Sequence, residues 1–377
     1  MPTAPTLTVG MEEELFLVDL ETGDVVDNKT AARVRNALDK KRPKQIVSEF
    51  LMPQIELVSR PHSSLADLYA EMAELRTVAI KVANEHDVGV IASSTHPFGV
   101  WLDQLPNDHP RYKRLLEYLQ ATCRRMLVCG MHVHVGIENR DERMRIFNQI
   151  FHFLPDLLLL STSSPFWKGH DTGLSSYRLN VIDGLPRAGL PLIFDDCAAY
   201  DGYIKTLVDA GVIDDASEIW WDARLSCKFP TVEMRITDIC PKLEDAVAIA
   251  GLYTVLVRYL YRNPELYPYN RMLNAFTSEN RFRAQRFQPS ECEFVETRNH
   301  HTQTFTARMA SMQEVLAEDA AALGAEDLMA RCQAIIDEGT SALRQRQVLE
   351  QAKAKGLDHK AALREVVNSL QHETALV

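Results

Sequence analysis

Nowhere does this 377-residue chain read G-x-x-x-x-G-K-[ST] or G-x-G-x-x-G. Phosphate binding by a P-loop or a Rossmann turn is thereby disfavoured, and any anion must be met by other groups. The cysteines are seven, scattered and odd in number, with no C-x-x-C pair. That pattern excludes a disulfide framework and a thiolate zinc site, and leaves most of them as small buried hydrophobes. Long apolar runs are missing too. The stretches 157–160 and 247–257 fall well short of a spanning helix, so no membrane segment is expected. The first six residues, MPTAPT, show neither a basic region nor an apolar run behind them, so no secretory leader is expected and the cytoplasm is the expected compartment. A basic surplus is absent as well. With 41 Lys and Arg against 52 Asp and Glu, the net charge of −11 argues against nucleic acid or an anionic membrane as the main partner.

What is present is ordinary globular composition, 46% hydrophobic and 25% charged, in a chain long enough for a large core. Helical periodicity with start signals begins at Ser64 and runs to about His86, begins at Asp141 and runs toward Phe153, and follows Pro241 over 242–261. Short alternating segments at 6–18, 53–58, 88–92, 131–137 and 231–239 read as strands between Gly- and Pro-bearing loops. Without a regular βαβ rhythm, the mixture predicts an α+β fold with a largely antiparallel sheet. From about Phe305 onward good helix formers dominate and strand signals cease. A single domain over 1–377 is therefore expected, with a sheet core and its helices over 1–300 and a helical layer over 301–377 whose last dozen residues fray.

The chemistry lies in the strands. In VGMEEELFL, alternation sets Glu12 and Glu14 on one face and Glu13 on the other with Met11 and Leu15. Two carboxylates side by side are costly unless they are solvated, protonated or bridged by a cation. A lone E-x-E is as well explained by a solvated edge, but the same geometry recurs. Gln54 pairs with Glu56, His132 with His134, and Glu233 with Arg235, each opposite a solidly apolar face. Four such segments are most economically one concave sheet face lined with Glu, Gln, His and Arg, its apolar side packed on helices.

Oxygen donors with an imidazole and no thiolate suit Mg²⁺ or Mn²⁺, and Mg²⁺ held by few carboxylates usually also holds substrate phosphate. Taken alone, His132 and His134 remain ambiguous between zinc ligands of a hydrolase and two core histidines. The candidates for neutralising phosphate or a substrate carboxylate are Arg178, Arg235, Arg224, Lys228 and the group Arg281, Arg283 and Arg286. Arg178 and Arg235 are the strongest of these.

The strings VGMEEELFLVD, QIELVSRP, STHPFGVW, VCGMHVHVG, SPFWKGHDTGLSSYRLN, EIWWDARLS, TVEMRITD and SENRFRAQRF resemble, in that order, the carboxylate-amine ligases called glutamate-cysteine ligase type 2. The resemblance covers roughly residues 6–350, and eight ordered motifs are far more specific than any one. It implies a curved, mainly antiparallel sheet funnel backed by helices, as in glutamine synthetase and the glutamate-cysteine ligases. It implies ATP and Mg²⁺ (or Mn²⁺), with an acyl phosphate, commonly of glutamate, attacked by an amine such as that of cysteine. By this resemblance Glu12, Glu14, Glu56, His132 and Glu233 are metal ligands. Arg178 matches an arginine that acts on phosphate or acyl substrate and Arg235 the late E-x-R pair, while His134 stays in doubt; from the cations named above, Arg178 and Arg235 are the expected catalytic groups and Lys228 and Arg281 the further phosphate contacts. The partners implied are small carboxylates and amines, glutamate and cysteine or analogues, and a homodimer is left open. The alternative is a metal-dependent amide hydrolase built on the H-x-H pair, which would ignore ATP.

Overall fold

The computed structural model describes residues 4–267, 271–296 and 301–377, so the Met1–Thr3 end of the segment read for a leader lies outside the described residues. Its centre is a seven-stranded sheet. The strands are β1 (Val9–Asp19), β2 (Ile46–Ser48), β3 (Gln54–Val58), β4 (Val88–Ile91), β5 (Met131–Gly136), β6 (Ala223–Leu225) and β7 (Thr231–Met234). They run in the order β6-β7-β5-β1-β3-β2, with β4 also against β1, and every pairing is antiparallel. β1 is long enough to serve three partners. β3 covers one edge from Glu12 to Phe16, while β5 takes Val9 to Glu13 and β4 takes Phe16 to Asp19 along the other.

The expected strands are all present, each a residue or more shorter than the pattern suggested at one end or both, and β7 ends at Met234 rather than 239. β2 and β6 were not expected. At three residues each they are too short for alternation to declare itself, and they exist because a longer neighbour offers unpaired backbone groups.

The apolar face of the sheet packs on the helices Leu65–Asn84 and Leu243–Arg262. Ser64 caps the first, accepting the amide N–H of Asp67 at 3.3 Å. The cap expected at Asp141 is Asn139 instead, which accepts from the Glu142 N–H at 3.0 Å and leaves Asp141 in the first turn. Helix Leu243–Arg262 is buried on nearly every side, because β5, Leu65–Asn84, Arg140–Ile150, Phe305–Leu323 and Glu326–Glu338 all pack on it. Over 246–257 its sequence is accordingly apolar all round rather than striped.

Glu13 occupies the apolar face that alternation assigned to it, fully buried against Met11 and Leu15. There Arg76, from helix Leu65–Asn84, grips it with two hydrogen bonds of 2.8 and 2.6 Å, and Arg76 also donates to the Cys240 carbonyl at 2.8 Å. A charge survives in the core because every oxygen has a donor.

After the strand His301–Thr304 come the helices Phe305–Leu323, Glu326–Glu338, Ser341–Ala354 and His359–Thr374. The expected fraying of the last dozen residues is not seen. The final helix continues to Thr374, with Leu370 and Thr374 buried and the Thr374 hydroxyl accepting the Ala92 N–H at 2.9 Å beside β4. Among the described residues no helix is long and apolar enough to cross a membrane.

Candidate functional site

Residues directly opposite in an antiparallel pair share a face, with Cβ atoms about 4.5–5.5 Å apart. The register sets Glu12 opposite His132, Glu14 opposite Glu56, His134 opposite Glu233, and Glu233 opposite Arg224. Five strands thereby join their polar residues into one band. A Glu12 oxygen lies 3.2 Å from His132 Nδ1 and the other 3.4 Å from His134 Nε2, while His134 Nδ1 stands 3.0 Å from the Thr231 hydroxyl. Glu14 accepts the Gly130 amide N–H at 2.6 Å. Ligand atoms of Glu12, His132 and Glu233 all lie within 4.8 Å of one another, and so do those of Glu14, Glu56 and His132. The two groups share the imidazole.

The two clusters differ electrostatically. Burial alone would raise Glu12, but its hydrogen bonds to His132 and His134 hold the carboxyl well below the usual range. Burial of Glu233 is likewise outweighed by Arg235 and Arg224, leaving it at about 2. Arg224 grips Glu233 with two bonds of 2.9 Å and Arg235 adds an ion pair. In the other cluster nothing comparable compensates. Burial, reinforced by Glu49, lifts Glu14 to about 8, and burial with Glu12, Glu49 and Glu14 lifts Glu56 well above the ordinary carboxylate. Carboxylates crowded in this way take up protons or bind a cation. Burial and then Arg235 push His132 down to about 4, so its imidazole is neutral, the form that ligates a metal. Oxygen donors with one neutral imidazole fit Mg²⁺ or Mn²⁺.

Glu49 belongs to this face and was missed. Val47 stands opposite Glu56, so Glu49, two residues on, projects to the same side. The alternation in IVSEF was the available signal, hidden by the shortness of β2. Glu49, Glu14, His132, Gln54, Arg178 and Arg235 form the polar wall of a cavity of about 890 Å³, counting its open mouth.

The cations divide. Arg178 is buried and donates from both terminal nitrogens to the carbonyls of Ile236 and Arg235, each at 3.2 Å. It therefore shapes the strand end that carries Arg235, and it reaches the cavity wall beside it. Arg281, expected at a phosphate, instead spends its guanidinium on protein carboxylates. It donates to Asp222 at 2.6 and 3.1 Å and to Asp183 at 2.8 and 2.8 Å, and so braces Asp222 in the wall. Lys228 stands exposed on the loop between β6 and β7 and is not among the described residues lining the cavity. Arg283 bonds the Glu293 carbonyl, and both Arg283 and Arg286 sit over the Phe287 ring, away from the clusters.

A family model described as glutamate-cysteine ligase family 2 matches residues 8–369. A Rhodospirillum rubrum protein provisionally named glutamate–cysteine ligase 2 is 41% identical, covering 98% of this chain and 96% of its own length. A Ruegeria pomeroyi protein of the same name is 41% identical over 97% of this chain and 94% of its own. Among solved structures, a Francisella tularensis glutamate–cysteine ligase in complex with AMP superposes with a TM-score of 0.71 at 13% identity, covering 98% of this chain and 93% of that one. The ligase PafA in complex with the ubiquitin-like protein Pup superposes at 0.57 with 11% identity, over 95% and 72%. These two likenesses show the fold, an antiparallel sheet backed by helices, as expected. The sequence matches, nearly end to end, place this chain in glutamate-cysteine ligase family 2.

Proposed function

We propose that this protein uses ATP to join a carboxylate to an amine through an acyl phosphate, with Mg²⁺ or Mn²⁺ held by Glu12, Glu14, Glu56, His132 and Glu233. The observation that carries the reading is the pair of carboxylate clusters sharing His132 beside Arg178 and Arg235. A bound Mg²⁺ or Mn²⁺ would supply charge neutralisation at the β- and γ-phosphates.

The chain's own groups do the rest. An oxygen of the acid attacks the γ-phosphorus and the bond to ADP breaks. The amine nitrogen then attacks the acyl carbon, inorganic phosphate leaves with its oxygen, and the nitrogen's proton passes to the departing phosphate. Arg235, on the wall and balanced by Glu233, is placed to meet oxygens of the transferring group. Arg178 fixes the backbone from which Arg235 projects. The recessed cavity limits access of water to the acyl phosphate. Glutamate and cysteine are the substrates named for the relatives, and they are the first pair to try. A cytoplasmic setting suits an enzyme that consumes ATP.

Oxygen-18 in the substrate carboxylate tests the chemistry. The label should pass to inorganic phosphate, with one ADP released per amide and with Mg²⁺ or Mn²⁺ required. Amide synthesis with unlabelled phosphate overturns the acyl phosphate, and amide cleavage without nucleotide overturns ligation and favours the hydrolase.

A further inference from the structure

The cavity that opens on Glu14, Glu49 and His132 has a second wall unlike the first. Leu115, Leu119, Met126, Ile182, Leu185 and Trp220 line it, contributed by the helices Pro110–Leu119 and Arg178–Ile182 and the segments beside them. Leu119, Met126, Ile182 and Trp220 are only partly buried, so apolar surface is left facing the cavity. Apolar surface in that position gains most when an apolar group covers it. Neither Glu12 nor Glu233 lines this cavity.

Gln54 belongs to the polar wall. It is buried, donates from Nε2 to the Val128 carbonyl at 2.6 Å, and leaves Oε1 buried with no partner. The carbonyl at Nε2 fixes the orientation, because a flipped amide would set oxygen against oxygen. Glu49, from the adjoining strand end, faces the same cavity. Gln54 Oε1 therefore lacks a donor. An unsatisfied buried acceptor is costly until one arrives. An amine nitrogen, rich in N–H, meets that need.

Building on the ligase reading above, we propose that this cavity seats the amine substrate, and that the amine carries an apolar group the size of a branched aliphatic chain or a single ring. Its nitrogen is received by Gln54 Oε1 and its apolar part lies on Leu119, Met126, Ile182 and Trp220. Cysteine, with a short side chain and a carboxylate, would leave that wall bare. Arg111 also lines the cavity, with a buried Nε lacking a partner, and it would meet an α-carboxylate if the amine is an apolar amino acid.

The test is ADP release by the full chain with ATP and Mg²⁺ across a panel of acids, using cysteine, alanine, leucine, isoamylamine, phenylalanine and phenethylamine as amines. For any acid that turns over, kcat/KM should be about tenfold or more higher for the apolar amines than for alanine or cysteine. Leucine against isoamylamine, and phenylalanine against phenethylamine, tell an amino acid from a simple amine. In Ile182→Asn and in Trp220→Ala the apolar-to-alanine ratio should fall about tenfold. Gln54→Met should raise the KM for amine more than it lowers kcat. Calorimetric titration of phenethylamine and of leucine into the wild type and Trp220→Ala provides a readout independent of turnover. Ligation with cysteine or alanine at equal or better kcat/KM overturns the cavity assignment and leaves ligation standing. Binding lost in Trp220→Ala, with no ADP released from any pair, supports the cavity and overturns ligation. Neither binding nor turnover overturns both.

Discussion

Gly130→Ala replaces one hydrogen with a methyl group at the point where the site is tightest. An ideal Cβ there would lie 2.3 Å from Arg178 Nη2 and 2.8 Å from its Cζ, about 1 Å inside ordinary contact. Arg178 is only 2% exposed and cannot swing into water. If it moves, it loses its bonds to the Arg235 and Ile236 carbonyls, each of the charged kind worth about 1.5–3 kcal/mol. If the strand moves instead, the Gly130 N–H leaves Glu14. The molecule takes the cheaper distortion, and forced overpacking of this sort costs about 1–3 kcal/mol. Urea unfolding should therefore show a lower midpoint at unchanged slope, by that amount. ADP release should drop about tenfold or more, since Arg178 and Glu14 are both displaced. The double variant is the sharper assay. Arg178→Ala removes the obstacle, so adding Gly130→Ala to it should cost almost nothing further, giving a coupling energy near the single-variant cost. Additive costs, or a Gly130→Ala protein with wild-type stability and turnover, would refute the packing argument.

Glu12→Gln, Glu56→Gln and Glu233→Gln should each cut turnover by about a hundredfold while the fold persists, as each removes a ligand charge at constant volume; near-normal rates in two of the three would sink the cluster assignment. Arg76→Met strands the Glu13 carboxylate in the core and should cost about 3–5 kcal/mol by urea midpoint, whereas Arg76→Met with Glu13→Leu should recover most of it; no recovery would mean that the pair matters for packing rather than charge. Glu71 is held at about 2 because hydrogen bonds from His62, Arg60 and Gln45 outweigh the effect of burial. A carboxyl depressed in the folded state contributes stability above its unfolded value near 4.3 and loses it as pH falls toward 2, so Glu71→Gln should flatten the acid limb between about pH 4.5 and 2 relative to wild type, and identical limbs would contradict the assignment.

The sequence by itself determined which side chains face which way along each strand. Period two is a property of the backbone, so Glu12 with Glu14, Gln54 with Glu56, His132 with His134 and Glu233 with Arg235 were legible as same-face pairs before any strand was paired. It determined the Ser64 cap, though not the one expected at Asp141, and the helix-rich stretch from Phe305 onward for the same local reason. Partners were beyond it. Whether Glu14 meets Glu56 or Glu12 meets His132 depends on register between strands 40 to 120 residues apart, which hydrophobic pattern constrains only to the correct face. Nor could charge state be read, because it is set by burial and by neighbours from other strands. Arg281 illustrates this: as a residue type it suits phosphate, but the fold hands it two aspartates from distant segments, which take four of its five N–H donors. Glu49 and Gln54 show the converse. Glu49 does not stand out in the string and Gln54 was legible only as the same-face neighbour of Glu56, yet tertiary packing turned both toward the same cavity and left Gln54 Oε1 without a partner, which gives an ordinary amide a candidate binding role.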